Sequence, residues 1–226
     1  MDGVPARVAG RRRQRVLLAG LLAAIIGALG PSLSRAQDTQ AAQARAAADS
    51  DAAAKVAGQV CSNCHGPGGA SLSPLFPRLA GQQEQYLAAQ IRAFKAQTRA
   101  DPEAHNYMWG MATLVSEPMI DSLAHYYAGQ PPAPGIPGDP HLIAQGKLLF
   151  EQGIPNRNIA PCASCHGENA EGRSIFPRLA GQHEHYLVRQ LTVIQKQLRA
   201  SPIMHGIIKE LKPNEMKAVA AYLQSK

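Results

Sequence analysis

Aromatic side chains are scarce in this chain, 5% of 226 residues, with four Phe, six Tyr and one Trp. A core must therefore be built from Ala, Leu and Ile together with something besides the protein's own rings. A large flat prosthetic group would serve. Cysteine is equally sparse: there are four, in two C-x-x-C pairs beginning at Cys61 and Cys162. Stapling a small domain needs cysteines far apart in sequence, whereas two intervening residues make a tight loop suited to chemistry. Sustained alternation of apolar and polar residues is missing, which argues against a sheet. Long apolar runs are missing too: the charge-free stretch from Val16 to Leu29 is shorter than the roughly 20 residues of a membrane span.

Charge of one sign is lacking once the N-terminus is set aside. The formal charge is +7, but six basic residues (Arg7, Arg11, Arg12, Arg13, Arg15, Arg35) and a single acid, Asp2, fall in the first 36 positions. A basic head, a short apolar run and the small-residue site Ser34-Arg35-Ala36 read as a secretory signal over residues 1–36, cut after Ala36. The remaining 17 basic and 15 acidic residues leave about +2, which gives no argument for nucleic acid. Export places the mature chain in the periplasm. An uncleaved N-terminal anchor helix is the competing reading, and with it a peripheral membrane association stays open.

What the sequence has in abundance is self-similarity. Phe76-Pro77-Arg78-Leu79-Ala80-Gly81-Gln82 recurs unchanged as residues 176–182, and the match continues through Glu84/Glu184, Tyr86/Tyr186, Leu87/Leu187, Gln90/Gln190, Arg99/Arg199 and Pro102/Pro202. Residues 130–140 are rich in Pro and Gly, cannot continue a helix and read as an extended linker. The predicted domains are therefore 37–129 and 141–226. Each reads as helical: an Ala-rich or amphipathic segment before the cysteines (40–60; 141–152), a helix after the heptapeptide (Tyr86, Leu87, Ile91, Phe94; Tyr186, Leu187, Leu191, Ile194, Leu198), and a closing helix (116–127; 213–223). The expected fold class is all-α, written twice.

Both cysteine pairs are followed at once by His65 and His166, giving C-x-x-C-H, the attachment signal of c-type haem. Cys61 and Cys64, and likewise Cys162 and Cys165, are candidates for thioether bonds to the porphyrin, and each His for an axial iron ligand. One four-cysteine zinc site and a redox-active dithiol are the competing readings. A sixth ligand should occupy equivalent places in both copies. Ungapped alignment back from Tyr126 and Tyr222 pairs Met108 with Met204, beside Gly110 and Gly206, with a short insertion around residues 103–107. A thioether paired with imidazole raises the potential, as suits an electron carrier. Met111 is the rival to Met108; His105 and His205 would instead give bis-histidine ligation. The Pro77 and Pro177 carbonyls are expected to accept from the axial imidazole Nδ1, and Arg78 and Arg178 to pair with haem propionates. His125, His141, His183 and His185 read as surface or capping residues. Nothing suggests a catalytic residue or a small-molecule substrate.

The haem motifs, F-P-R-L-A-G-Q, the following Tyr-Leu helix, R-x-x-P, the methionine and the closing helix with its Tyr resemble class I cytochromes c of the dihaem cytochrome c4 group, over about residues 50–226. The resemblance implies two tandem cytochrome c domains related by pseudo-twofold symmetry, two covalent haem c groups, His/Met ligation, and electron carriage between respiratory complexes. Quinol-cytochrome c reductase, or a dehydrogenase, and a terminal oxidase or reductase are the expected partners. The alternatives are the electron-transfer subunit of a larger dehydrogenase, or a dihaem enzyme with an open iron site.

Overall fold

The computed structural model describes Arg35 and residues 37–226; the proposed signal segment and its cleavage site lie outside them, Arg35 excepted. Residues 37–48 are helical and exposed and belong to a unit separate from the rest. Everything else belongs to one compact unit, Asp49–Lys226.

Within that unit the described residues form helices and loops, without strands and with three isolated bridges. The first half runs through a helix over residues 49–56, a π turn Ala57–Cys61, α1 (Ser62–His65), α2 (Glu84–Lys95), a second π turn Ala104–Met108, α3 (Trp109–Thr113) and α4 (Glu117–Ala128). The second half repeats the plan with α5 (Pro140–Gln152), α6 (Ala163–His166), α7 (Glu184–Gln195), α8 (Pro202–Ile208) and α9 (Pro213–Gln224). Helix starts follow the local chemistry. Ser116 Oγ accepts from the Met119 N–H and Asp139 Oδ1 from the His141 N–H, satisfying donors that the first turn leaves free. Pro118, Pro140, Pro202 and Pro213 all sit in first turns, where a missing N–H costs nothing.

Two cores form, one per repeat. The first gathers Ala53, Ala57, Leu87, Ala88, Ile120, Leu123, Ala124 and Tyr127; the second centres on Phe150, with Leu149, Leu187, Ile194, Met216, Val219, Tyr222 and Leu223. Phe150 is fully buried, which stabilises by roughly 2–3 kcal/mol. In the second core α5 crosses α9 at Gly146, so closely that a Cβ there would lie 2.0 Å from the Ala218 carbonyl oxygen. The register of the repeats is fixed by equivalent bonds: Gly81 N–H donates to Tyr127 O (2.9 Å) and Gly181 N–H to Leu223 O (2.8 Å). Tyr126 therefore corresponds to Tyr222, the pairing on which the methionine alignment depends.

The halves meet across a pseudo-twofold axis. Arg78 N–H donates to Gln182 Oε1 (3.0 Å) and Gln182 Nε2 back to Arg78 O (2.9 Å); Arg178 N–H donates to Gln82 Oε1 (2.6 Å) and Gln82 Nε2 back to Arg178 O (3.0 Å). Near the same axis Arg99 and Arg199 each donate to both Gln90 Oε1 and Gln190 Oε1. Symmetry breaks at one charge: Arg99 has a buried carboxylate partner, Asp101 (3.1 Å), where the second repeat has Ser201. Arg199 is held instead by neutral oxygens, including Tyr86 OH at 2.8 Å. The connecting segment is tied down as well, with Ile136 N–H on Gln224 O and Pro134 O accepting from Arg78 Nη1.

Candidate haem sites

A single helical turn explains the spacing of each C-x-x-C-H motif. Residues three and four apart share a helix face, so one turn brings Cys61, Cys64 and His65 to one side of α1, and α6 does the same for Cys162, Cys165 and His166. Each turn is stopped by a glycine at positive φ, Gly66 (75°) and Gly167 (84°). A Cβ on Gly66 would come within 2.9 Å of the Ala70 carbonyl oxygen, so the sharp exit needs glycine.

Both imidazoles are buried, His65 at 8% and His166 at 4% exposure. His65 Nδ1 is 2.9 Å from Pro77 O, and His166 Nδ1 is 2.9 Å from Pro177 O. A carbonyl only accepts, so each Nδ1 carries the proton and each Nε2 presents a lone pair. His166 Nε2 is buried with no hydrogen-bond partner, a costly arrangement unless something else takes the lone pair. Burial pulls both imidazole pKa values below the ordinary range, against the Pro carbonyl bonds that raise them, and the neutral ring is the form that binds a metal. Phe76 and Phe176 meet the same imidazoles edge-on, at ring-centre distances of 6.2 and 6.3 Å.

The thiols do not have the character of a redox dithiol. All four cysteines are free; burial pushes Cys162 up to about 11 and raises Cys61, whereas reactive cysteines have lowered pKa values. Nor is the four-cysteine zinc reading assembled: among the described residues no group of three or more His, Cys, Asp or Glu side chains converges, and the pairs sit in separate domains. A buried imidazole with a free Nε2 and two thiols on the same helical turn, the first of them packed against the apolar core, fit a covalently held haem.

The methionines differ in setting. Met204 is half-buried in α8 and packs on the second core. Met108 is half-buried at the end of the π turn Ala104–Met108, while Met111 is 38% exposed on α3. Met108 follows Pro102 by six residues and Met204 follows Pro202 by two; the four extra residues make up most of the π turn, so the insertion adds about one turn of helix. Tyr107, beside Met108, packs on Phe76 (5.4 Å), which ties this segment to the His65 side. His105 is exposed, 3.1 Å from Asn106 Oδ1 and edge-on to Trp109; His205 Nδ1 lies 3.2 Å from Ile194 O.

Of the two places expected for His183, surface or cap, it takes the second: it is the N-cap residue of α7, 3% exposed, with its side chain turned away from the helix so that Nε2 meets Ser71 O of the other domain at 2.9 Å. The Arg78 guanidinium, expected beside a propionate, donates to the carbonyls of Ser71, Pro134 and Gly181 and joins the domains. Arg178 differs, with a buried Nε that has no partner. The side chains missed by sequence reasoning are Gln82, Gln182, Gln90 and Gln190. Their signal was present, as polar residues repeated without change inside otherwise apolar segments.

Comparison with known proteins agrees with this arrangement. The cytochrome c family model matches residues 143–226. Cytochrome c4 of Thiocapsa roseopersicina is 38% identical over 193 residues, covering 83% of this chain and 97% of that protein. The thiosulfate dehydrogenase electron acceptor of Thiomonas intermedia is 35% identical, over 79% of this chain and 83% of that one. The solved structure of Acidithiobacillus ferrooxidans cytochrome c4 superposes with a TM-score of 0.70 at 40% identity, covering 74% of this chain and 98% of that one. With two C-x-x-C-H turns in two all-α domains about a pseudo-twofold axis, the chain belongs to the cytochrome c4 family of dihaem electron-transfer proteins and carries two covalent haem c groups.

Proposed function

We propose that this protein is a periplasmic electron carrier that takes electrons from a quinol-oxidising complex or a dehydrogenase and delivers them to a terminal oxidase or reductase. Residues 1–36 are its export signal, and the domains 37–129 and 141–226, joined by 130–140, each carry one redox centre. Haem c, when bound, supplies an iron couple that gains and loses one electron. The protein's own residues do the rest. Cys61 and Cys64, and Cys162 and Cys165, would hold the haem covalently. His65 and His166 would ligate iron through Nε2, oriented by the Pro77 and Pro177 carbonyls, and Met108 and Met204 would supply a thioether sulfur to each site. Arg178, whose buried Nε has no partner, would be available to a propionate.

The observation that carries this reading is the buried, unpartnered Nε2 of His166 beside an Nδ1 fixed on Pro177 O. Its test is spectroscopic. Both ferric haems should show the weak far-red methionine-to-iron band; a high-spin haem that readily binds cyanide or peroxide would point to an enzyme and overturn it. Met204→Ala should keep its haem attached but lower that site's potential by on the order of 0.1 V, within the ~0.8 V range that axial ligands command. The likeness to a thiosulfate dehydrogenase electron acceptor favours a second reading, service to one dedicated dehydrogenase. Co-purification with a catalytic chain, or reduction by that enzyme at rates far above those with quinol-oxidising complexes, selects it.

A further inference from the structure

The heptapeptide contains a bond pattern that reaches from each candidate axial imidazole into the opposite domain. Pro77 C=O and Arg78 N–H belong to one peptide group. Its oxygen accepts from His65 Nδ1 at 2.9 Å, and its N–H donates to Gln182 Oε1 at 3.0 Å. The second repeat mirrors this: the peptide between Pro177 and Arg178 accepts from His166 Nδ1 at 2.9 Å and donates to Gln82 Oε1 at 2.6 Å. Both amides are buried, Gln182 at 6% and Gln82 at 7% exposure. Each is locked by its return bond to the Arg carbonyl and by its own oxygen accepting the next backbone N–H, from His183 and Gln83 respectively.

A peptide group that donates at nitrogen becomes a better acceptor at oxygen, because each bond polarises the next. The glutamine thereby strengthens the pull of the Pro carbonyl on the imidazole N–H and gives the ring more anionic character. Electron density on a ligand favours ferric iron, and such outer bonds are established levers on a metal's potential. We infer that Gln182 and Gln82 are positioning residues acting in trans: each lowers the reduction potential of the haem in the opposite domain, so that domain docking itself sets the two potentials. The inference rests on the reading of His65 and His166 as iron ligands.

The distinguishing signature is a crossed one. Gln182→Met, which keeps length but removes both polar atoms, should raise the potential of the haem at Cys61 and Cys64 about threefold in equilibrium constant, or roughly 30 mV at 59 mV per tenfold for one electron. The haem in its own domain should stay within error. Gln82→Met should likewise raise the potential of the haem at Cys162 and Cys165 and leave the first within error. Ser174→Ala, which removes another cross-domain bond between neutral groups (Oγ to Gln85 Oε1, 2.6 Å), should move neither haem. Potentials from spectroelectrochemical titration, assigned by paramagnetic NMR, decide the matter. Unchanged potentials, or a shift confined to the variant's own domain, overturn the inference while an intact far-red band leaves the ligand reading standing. Should Gln182→Met not fold, Gln182→Asn carries the test: its amide stays polar but is one methylene too short to reach the Arg78 N–H, so the same crossed rise is expected, and an unchanged first haem would refute the coupling.

Discussion

Gly146→Ala is a stringent test of the second domain, because two effects of opposite sign act at one atom. Removing a glycine from a helix interior favours α5 by about 1 kcal/mol. Against that, the new Cβ would stand 2.0 Å from Ala218 O, 2.6 Å from Ala218 C and 2.8 Å from Tyr222 Cβ. Two of those atoms are backbone of α9, so no rotamer relieves the clash and the helices must separate by about an ångström. Separation loosens Phe150 against Tyr222, now 5.5 Å apart between ring centres, and their neighbours Leu149 and Val219. Over-packing of this kind costs about 3 kcal/mol, the upper part of its usual range. The net loss is then about 2 kcal/mol, a drop in Tm of roughly 8–16 °C for a domain of this size. Thermal unfolding followed by far-ultraviolet circular dichroism, against the parent protein, measures it. A variant as stable as the parent, or more so, would show that α5 and α9 do not pack backbone to backbone and would refute the crossing geometry.

Cys162→Ala removes one of two thiols on the α6 turn; mass spectrometry under denaturing conditions should find a large fraction of the chain with one haem instead of two, whereas Ser164→Ala should keep both. Asp101→Asn leaves the Arg99 guanidinium buried without its carboxylate, side chains that are 6% and 1% exposed, and should cost about 3–5 kcal/mol in denaturant-induced unfolding. Burial and the nearby Arg78 cation hold the His183 pKa below its ordinary value of 6.5 in the folded chain, so the unfolded chain takes up the proton first. The stability tied to neutral His183 is thus complete above about pH 6.5 and lost as pH falls toward the folded value. His183→Asn should flatten the decline in unfolding midpoint between pH 7 and 5; an unchanged slope would remove His183 as its source.

Local chemistry written in adjacent residues was legible without coordinates. The C-x-x-C-H turns, the prolines that open the closing helices and the helix periods depend on spacings of a few residues, which the chain itself enforces. The repeat made the domain plan readable as well, and with it the equivalence of Tyr126 with Tyr222. The axial imidazole bond to Pro77 was also foreseeable, because the heptapeptide recurs shortly after each histidine, its Pro 12 residues on in the first copy and 11 in the second.

Tertiary structure alone decided what the repeated polar residues face. Gln82 looks like any solvated residue before a helix, yet its amide closes on the Arg178 peptide 96 positions away; nothing local distinguishes a glutamine bonded to water from one bonded to a buried peptide. For the same reason nothing local showed that His183, at the N-cap of α7, buries its ring against the other domain, or that the Arg78 guanidinium binds carbonyls of both domains. The sequence by itself determined the two C-x-x-C-H turns and the helices that carry them, since these are consequences of neighbouring residues. How the turns are joined, through crossed bonds from each axial histidine's peptide to the other domain's glutamine, was decided by the packing of two surfaces that no short-range rule relates.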